Sequence, residues 1–145
     1  MKIAIGADHA GFEAKEKLKE HLQRTGHSVV DVGTTSLESC DYPDPAAKVA
    51  RLVVGGEAER GVLVCGSGIG MSIAANKVKG ARAALASDEF HAEMCRRHND
   101  ANVICLGSRV NAPEMLARFV DRFITTSFEG SRHQQRIDKI RGLES

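Results

Sequence analysis

The chain has 145 residues, with 20 basic and 19 acidic side chains and a formal charge of +1. That length predicts a single domain spanning 1–145 with a core of its own, and the near-neutral balance argues against nucleic acid or an anionic membrane as partner, so any anion site must be local. No window approaches the ~20 apolar residues of a membrane span, the N-terminal apolar run is too short for a secretory signal, and Cys40, Cys65, Cys95 and Cys105 form no C-x-x-C pair; the expectation is a cytoplasmic protein with reduced thiols.

Five apolar runs of strand length follow in chain order, at 2–5 (KIAI), 28–32 (SVVDV), 62–65 (VLVC), 82–86 (RAALA) and 102–106 (NVICL). A segment of helical length separates each from the next. The first, 11–24, puts Phe12, Ala14, Leu18 and Leu22 near one stripe and Lys15, Glu16, Lys19 and Glu20 largely elsewhere, then stops at Gly26. Segments 44–55, 69–78, 88–97 and 112–124 read similarly, with Pro113 suited to a first helical turn. A last polar segment, 131–143, carries Ile137, Ile140 and Leu143 at spacings of three, as expected of a helix docked on the body or on another subunit.

Strand-then-helix alternation implies parallel strands joined by right-handed crossovers. The strand runs are apolar on successive residues, as strands covered on both faces are. The predicted fold is therefore α/β: a three-layer α/β/α sandwich, Rossmann-like, of about five parallel strands plus a C-terminal helix. Ligands in such a sheet bind outside the carboxyl ends of the strands, where strand order reverses. The polar residues at those ends are Asp8 and His9, then Cys65, Gly66, Ser67, Gly68 and Gly70, then Asp88 and Glu89, and last Ser108, Arg109 and Asn111.

The glycine loop VCGSGIGMSIAANK, 64–77, is the most informative of these. A dinucleotide fingerprint needs a glycine where Met71 stands and belongs in the first strand-to-helix turn rather than the third, although Asp88 lies at about the right distance for a ribose contact. No G-K-[ST] follows, which removes a P-loop. Glycines that only turn the chain tightly are the ordinary alternative. Cys65, however, ends a strand beside a helix start, near unpaired backbone N–H groups and the positive end of the helix dipole. Both lower a thiol pKa from its ordinary ~8.5, and the same amides suit a developing oxyanion. A thiolate base beside an oxyanion hole is what proton abstraction next to a carbonyl requires. His91, Cys95 and His98 share a helical face at a spacing open to a metal, but with no fourth ligand evident the ordinary account is a helix with a half-buried cysteine.

ADHAGFEAK (7–15), DYPD (41–44), the glycine loop, RHNDANV (97–103), LGSRV (106–110) and GSRHQQR (130–136) together resemble type B ribose-5-phosphate isomerases, a family that includes galactose-6-phosphate and allose-6-phosphate isomerases. The likeness covers nearly the whole chain in order. It implies a homodimeric aldose–ketose isomerase of the pentose phosphate pathway that needs no metal or cofactor. By resemblance, Cys65 is the base moving a proton between C2 and C1 of the open-chain sugar, and the amides of Gly66, Ser67, Gly68, Ile69 and Gly70 hold the enediolate. Ser67 stands where many members have threonine; it keeps the hydroxyl that passes a proton between the sugar oxygens and loses the methyl that fixes its rotamer. His98 is the group that opens the furanose ring, while Asn99 and Asp8 bind sugar hydroxyls and Asp41 and Tyr42 line the pocket. Arg132 and Arg136, four apart on a helix, with His9 and Arg109, make the phosphate pocket; His133 is expected to point elsewhere. The site is expected to be shared between two subunits. Two alternatives stay open: a six-carbon phosphosugar as substrate, and a non-catalytic phosphosugar-binding module.

Overall fold

The structure, a computed structural model, describes residues 1–144. Strands β1 (Lys2–Ala7), β2 (Ser28–Asp31), β3 (Arg60–Cys65), β4 (Ala83–Leu85) and β5 (Val103–Gly107) alternate with α1 (Phe12–Arg24), α2 (Pro43–Val54), α3 (Ile69–Ala75), α4 (Glu89–Asn99) and α5 (Pro113–Thr125), and α6 (Arg132–Arg141) closes the chain. All strand pairs are parallel, in the order β2-β1-β3-β5-β4.

The sheet separates two cores because successive strand residues face opposite sides. Ile3, Ile5, Val62, Val64, Ile104 and Leu106 pack with Leu18 and Leu22 of α1, Ala92 of α4 and Phe119 and Phe123 of α5. Ala4, Leu63, Cys65, Val103 and Cys105 pack with Val49 and Val53 of α2 and Met71 and Ala75 of α3. Both faces are thus dry, which is why the strand runs carry no polar alternation.

Lys15 departs from the expected pattern. Rather than lying on the solvent side of α1 it is fully buried, with Nζ 2.9 and 2.8 Å from the two carboxylate oxygens of Asp31 and 2.5 Å from the carbonyl of Thr34. Burial acts to raise the pKa of Asp31, but hydrogen bonds from Lys15, Gly33 and Lys19 outweigh it and hold the carboxyl below its ordinary range. The pair pins the segment after β2 to α1, a long-range partnership that periodicity along α1 does not reveal.

Edge strand β4 is short, and its backbone is covered by a side chain. Asn76 accepts from the amide of Ala83 and donates to its carbonyl, both at 2.9 Å, as a neighbouring strand would. At the other end of the chain α6 docks on the body through Ile137, 1% exposed, while Ile140 and Leu143 remain exposed.

From β1 the chain steps outward to β2 and then returns across β1 to β3, so strand order reverses between β1 and β3. Their carboxyl ends flank the crevice where such folds bind ligands. Gly11 closes the approach from the β1 side: a Cβ there would sit 2.3 Å from the carbonyl oxygen of Val64.

Candidate active site

Cys65 ends β3 inside this crevice and is 5% exposed. The chain then turns through Gly68, whose φ of +82° is left-handed and whose Cβ would collide with Leu85 Cδ1 at 2.6 Å. Glycine is therefore required there on both counts. The turn aims the Gly68 amide at Cys65 Sγ, 3.1 Å away. Ser67 Oγ accepts from the Ile69 amide at 3.2 Å, and the amides of Gly70 and Met71 follow as first-turn donors without an intrahelical acceptor. Of the amides expected to hold an oxyanion, two are thus committed within the loop itself: Gly68 to the sulfur and Ile69 to the serine.

Neighbouring loops close around this turn. Asp8 is buried, and its Oδ1 accepts from the Gly11 amide at 3.0 Å. His9 Nδ1 accepts from the Cys40 amide at 3.2 Å, which leaves Nε2 to carry the ring hydrogen. The β5 loop is tied down by Ser108, whose amide donates to the Cys65 carbonyl at 2.8 Å. Arg109 then reaches back over Gly66, where a Cβ would lie 3.1 Å from Nη1. The Tyr42 ring rests against Gly70 so closely that a Cβ there would lie 2.5 Å from Cε1. Asp8, His9, Tyr42, Cys65, the glycine loop and Arg109 therefore gather at one end of the sheet.

His98, Asn99, Arg132 and Arg136 do not join them. Helix α4 starts at the carboxyl end of β4, where Asp88 caps it by accepting from the His91 amide at 2.7 Å. Its 11 residues carry the chain about 16 Å back to where β5 begins. His98 and Asn99 lie at that far end. Helix α6 packs beside them, and just beyond it Glu144 accepts from the amide of Gly80, ahead of β4, at 2.9 Å. The expected site residues thus fall into two groups at opposite ends of one sheet.

The far group contains two residues that sequence reasoning passed over. His133, expected to point elsewhere, is 5% exposed and stacks on His98, with ring centroids 4.3 Å apart and planes 15° from parallel. Glu129 Oε2 lies 3.2 Å from His133 Nε2 and 3.7 Å from His98 Nε2. Burial and the nearby positive charges of Arg132 and His98 move the His133 pKa down from its ordinary value. The available signal was spacing: His133 is four residues before buried Ile137 and shares its inward stripe. The metal spacing read at His91, Cys95 and His98 does not converge, because Cys95 Sγ turns inward to the Ala92 carbonyl at 3.3 Å and His91 is exposed beside Ser87.

A family model described as Ribose/Galactose Isomerase matches residues 3–140. The chain belongs to that family. Ribose-5-phosphate isomerase B of Escherichia coli K12 is 47% identical over 143 residues, covering 99% of this chain and 96% of that protein. Among solved structures, Clostridium thermocellum ribose-5-phosphate isomerase B superposes with a TM-score of 0.98 at 46% identity, covering 99% of this chain and 97% of its own. The Mycoplasma genitalium ribose-5-phosphate isomerase B, solved with bound ribulose-5-phosphate, gives 0.95 at 43% identity over 99% of this chain and 95% of its own. These likenesses bear out the three-layer α/β fold and the isomerase family read from the motifs. No helix among the described residues is long and apolar enough to cross a membrane.

Proposed function

We propose that this chain is an aldose–ketose isomerase that interconverts D-ribose 5-phosphate and D-ribulose 5-phosphate, acting in the cytoplasm in the non-oxidative pentose phosphate pathway. The observation that carries the reading is Cys65 Sγ, held by the Gly68 amide at 3.1 Å in a turn at the strand-order reversal. As thiolate it removes the proton from C2 of the open-chain aldose and returns it to C1. Negative charge moves meanwhile onto the former carbonyl oxygen, within reach of the first-turn amides of α3, and the Ser67 hydroxyl carries a proton between O1 and O2. Asp8 and Asn99 receive sugar hydroxyls. Incubating ribose, allose and galactose phosphates separately in heavy water and following C2 exchange by NMR tests this. Ribose 5-phosphate is expected to turn over fastest; exchange confined to a hexose phosphate would overturn the substrate.

His98 opens the furanose ring, and the opposite placement of Cys65 and His98 supports a homodimer in which each site takes its loop from one copy and His98, Asn99, Arg132 and Arg136 from the other. Ile69, Ile73, Leu85 and Phe90 are large, apolar and exposed along the β4 edge. A two-fold axis across that edge, perpendicular to the strands, covers them and sets the far end of each copy against the crevice of the other.

Two expected results follow from the phosphate and from the thiol. Arg132→Ala or Arg136→Ala should raise KM more than it lowers kcat, because phosphate is remote from the reacting carbons. Charge-assisted contacts are worth about 1.5–3 kcal/mol, roughly a 10- to 150-fold rise in KM; an unchanged KM in steady-state assays would move the phosphate elsewhere. A chelator should leave turnover intact, since thiolate and amides supply base and oxyanion stabilisation. Activity lost to chelation and restored by one added divalent ion would contradict that mechanism.

A further inference from the structure

His98, Glu129 and His133 bring three ligand atoms within 4.8 Å of one another. Tetrahedral zinc with bonds of about 2.0–2.1 Å holds its ligand atoms about 3.3 Å apart. The two distances from Glu129 Oε2, 3.2 and 3.7 Å, straddle that spacing. Three further observations separate the cluster from an ordinary surface group. His133 Nε2 is buried and has no hydrogen-bond partner: the carboxylate is near but off the line of the ring N–H. Glu129 is braced from behind, its amide donating to the Arg97 carbonyl at 3.1 Å and its Oε1 lying 3.9 Å from Arg97 Nη1, as outer groups orient a metal ligand. The side chains of His98 and Glu129 are 40% and 41% exposed, so a fourth position is open to water.

We propose that His98, His133 and Glu129 form an inhibitory site for Zn²⁺, completed by a water molecule, that occupies the imidazole nitrogen needed for ring opening. Two imidazoles and a carboxylate with an open fourth position match a known zinc ligand set. Binding requires the stacked rings to splay slightly, because parallel rings aim their lone pairs side by side. A metal ligand must be deprotonated, so Zn²⁺ competes with protons at both imidazoles; the neighbouring charges of Arg132 and Arg136 oppose the cation, and Glu129 offsets part of them. The inhibitory consequence rests on the ring-opening reading of His98, whereas the binding does not.

The test uses the Cys65→Ala protein, so that the crevice thiol cannot supply a ligand, with Co²⁺ as spectroscopic probe. Expected are visible bands of a tetrahedral ion, one per chain, displaced by Zn²⁺. Glu129→Gln and His133→Asn should weaken binding by at least the ~10–100-fold seen when outer-shell partners are lost. Glu129 is exposed enough that its variant should fold even if His133→Asn does not. No tetrahedral bands, or equal affinity in Glu129→Gln, would overturn the site. With Cys65 intact, Zn²⁺ should inhibit ribose 5-phosphate turnover at lower concentration than in Glu129→Gln, and should spare the reaction from ribulose 5-phosphate. Binding with equal inhibition in both directions would keep the site and remove ring opening from His98.

Discussion

Cys65→Ala should fold, bind phosphosugar and isomerise it at least ~10²- to 10⁴-fold more slowly than the unsubstituted chain, the range for losing a general base. Folding should survive because alanine keeps the β-carbon in the core shared with Met71 and Ala75, and the lost contact is one hydrogen bond from Gly68, worth about 1 kcal/mol. Binding should survive because the proposed phosphate ligands, Arg132 and Arg136, are untouched. Iodoacetamide should inactivate the unsubstituted chain and substrate should protect it. The other buried thiols are internal controls: burial pushes Cys95 up to about 11 and Cys105 higher still, so neither supplies thiolate near neutral pH. Equal rates for Cys65→Ala and the unsubstituted chain in a direct assay would make the sulfur mere strand-end packing and pass the base to another group in the crevice.

The fold was legible because it rests on local signals. Continuous apolar runs at β3 and β5 mark strands covered on both faces, and the helical stripes at α1 and α5 mark their covers. The gathering of Asp8, Cys65 and Arg109 in one crevice was legible for the same reason, since each sits within two residues of a strand end. What sequence missed depends on groups distant in the chain. Lys15 reads as a surface lysine until Asp31 and Thr34 are folded against it. Glu129 lies in an irregular segment, and His133 becomes significant only when α6 is laid across the end of α4. The split of the site is a matter of topology: motif order gives no indication that α4 carries His98 away from the thiol loop.

That split gives the second large effect. His98→Ala should lose ~10²- to 10⁴-fold in turnover of ribose 5-phosphate, which is mostly cyclic, while retaining the reaction from ribulose 5-phosphate, which cannot close a furanose. Paired with Cys65→Ala, it reports where each site is assembled. Suppose the two inactive proteins are mixed, dissociated and allowed to reassociate at random. Half the dimers are then mixed, and in each mixed dimer one crevice has Cys65 from one copy and His98 of the partner subunit, while the other crevice lacks both. One working site among two, in half of the dimers, restores about a quarter of the unsubstituted activity. A site contained within one chain restores nothing, because each copy then lacks one essential group whatever its partner carries. The contrast is between about a quarter and a residue of at most ~1%. Activity that stays at the level of the separate variants after verified subunit exchange would place Cys65 and the ring-opening group in the same copy. The loss in His98→Ala would then act through the fold, because the far end of α4 does not reach the crevice of its own chain.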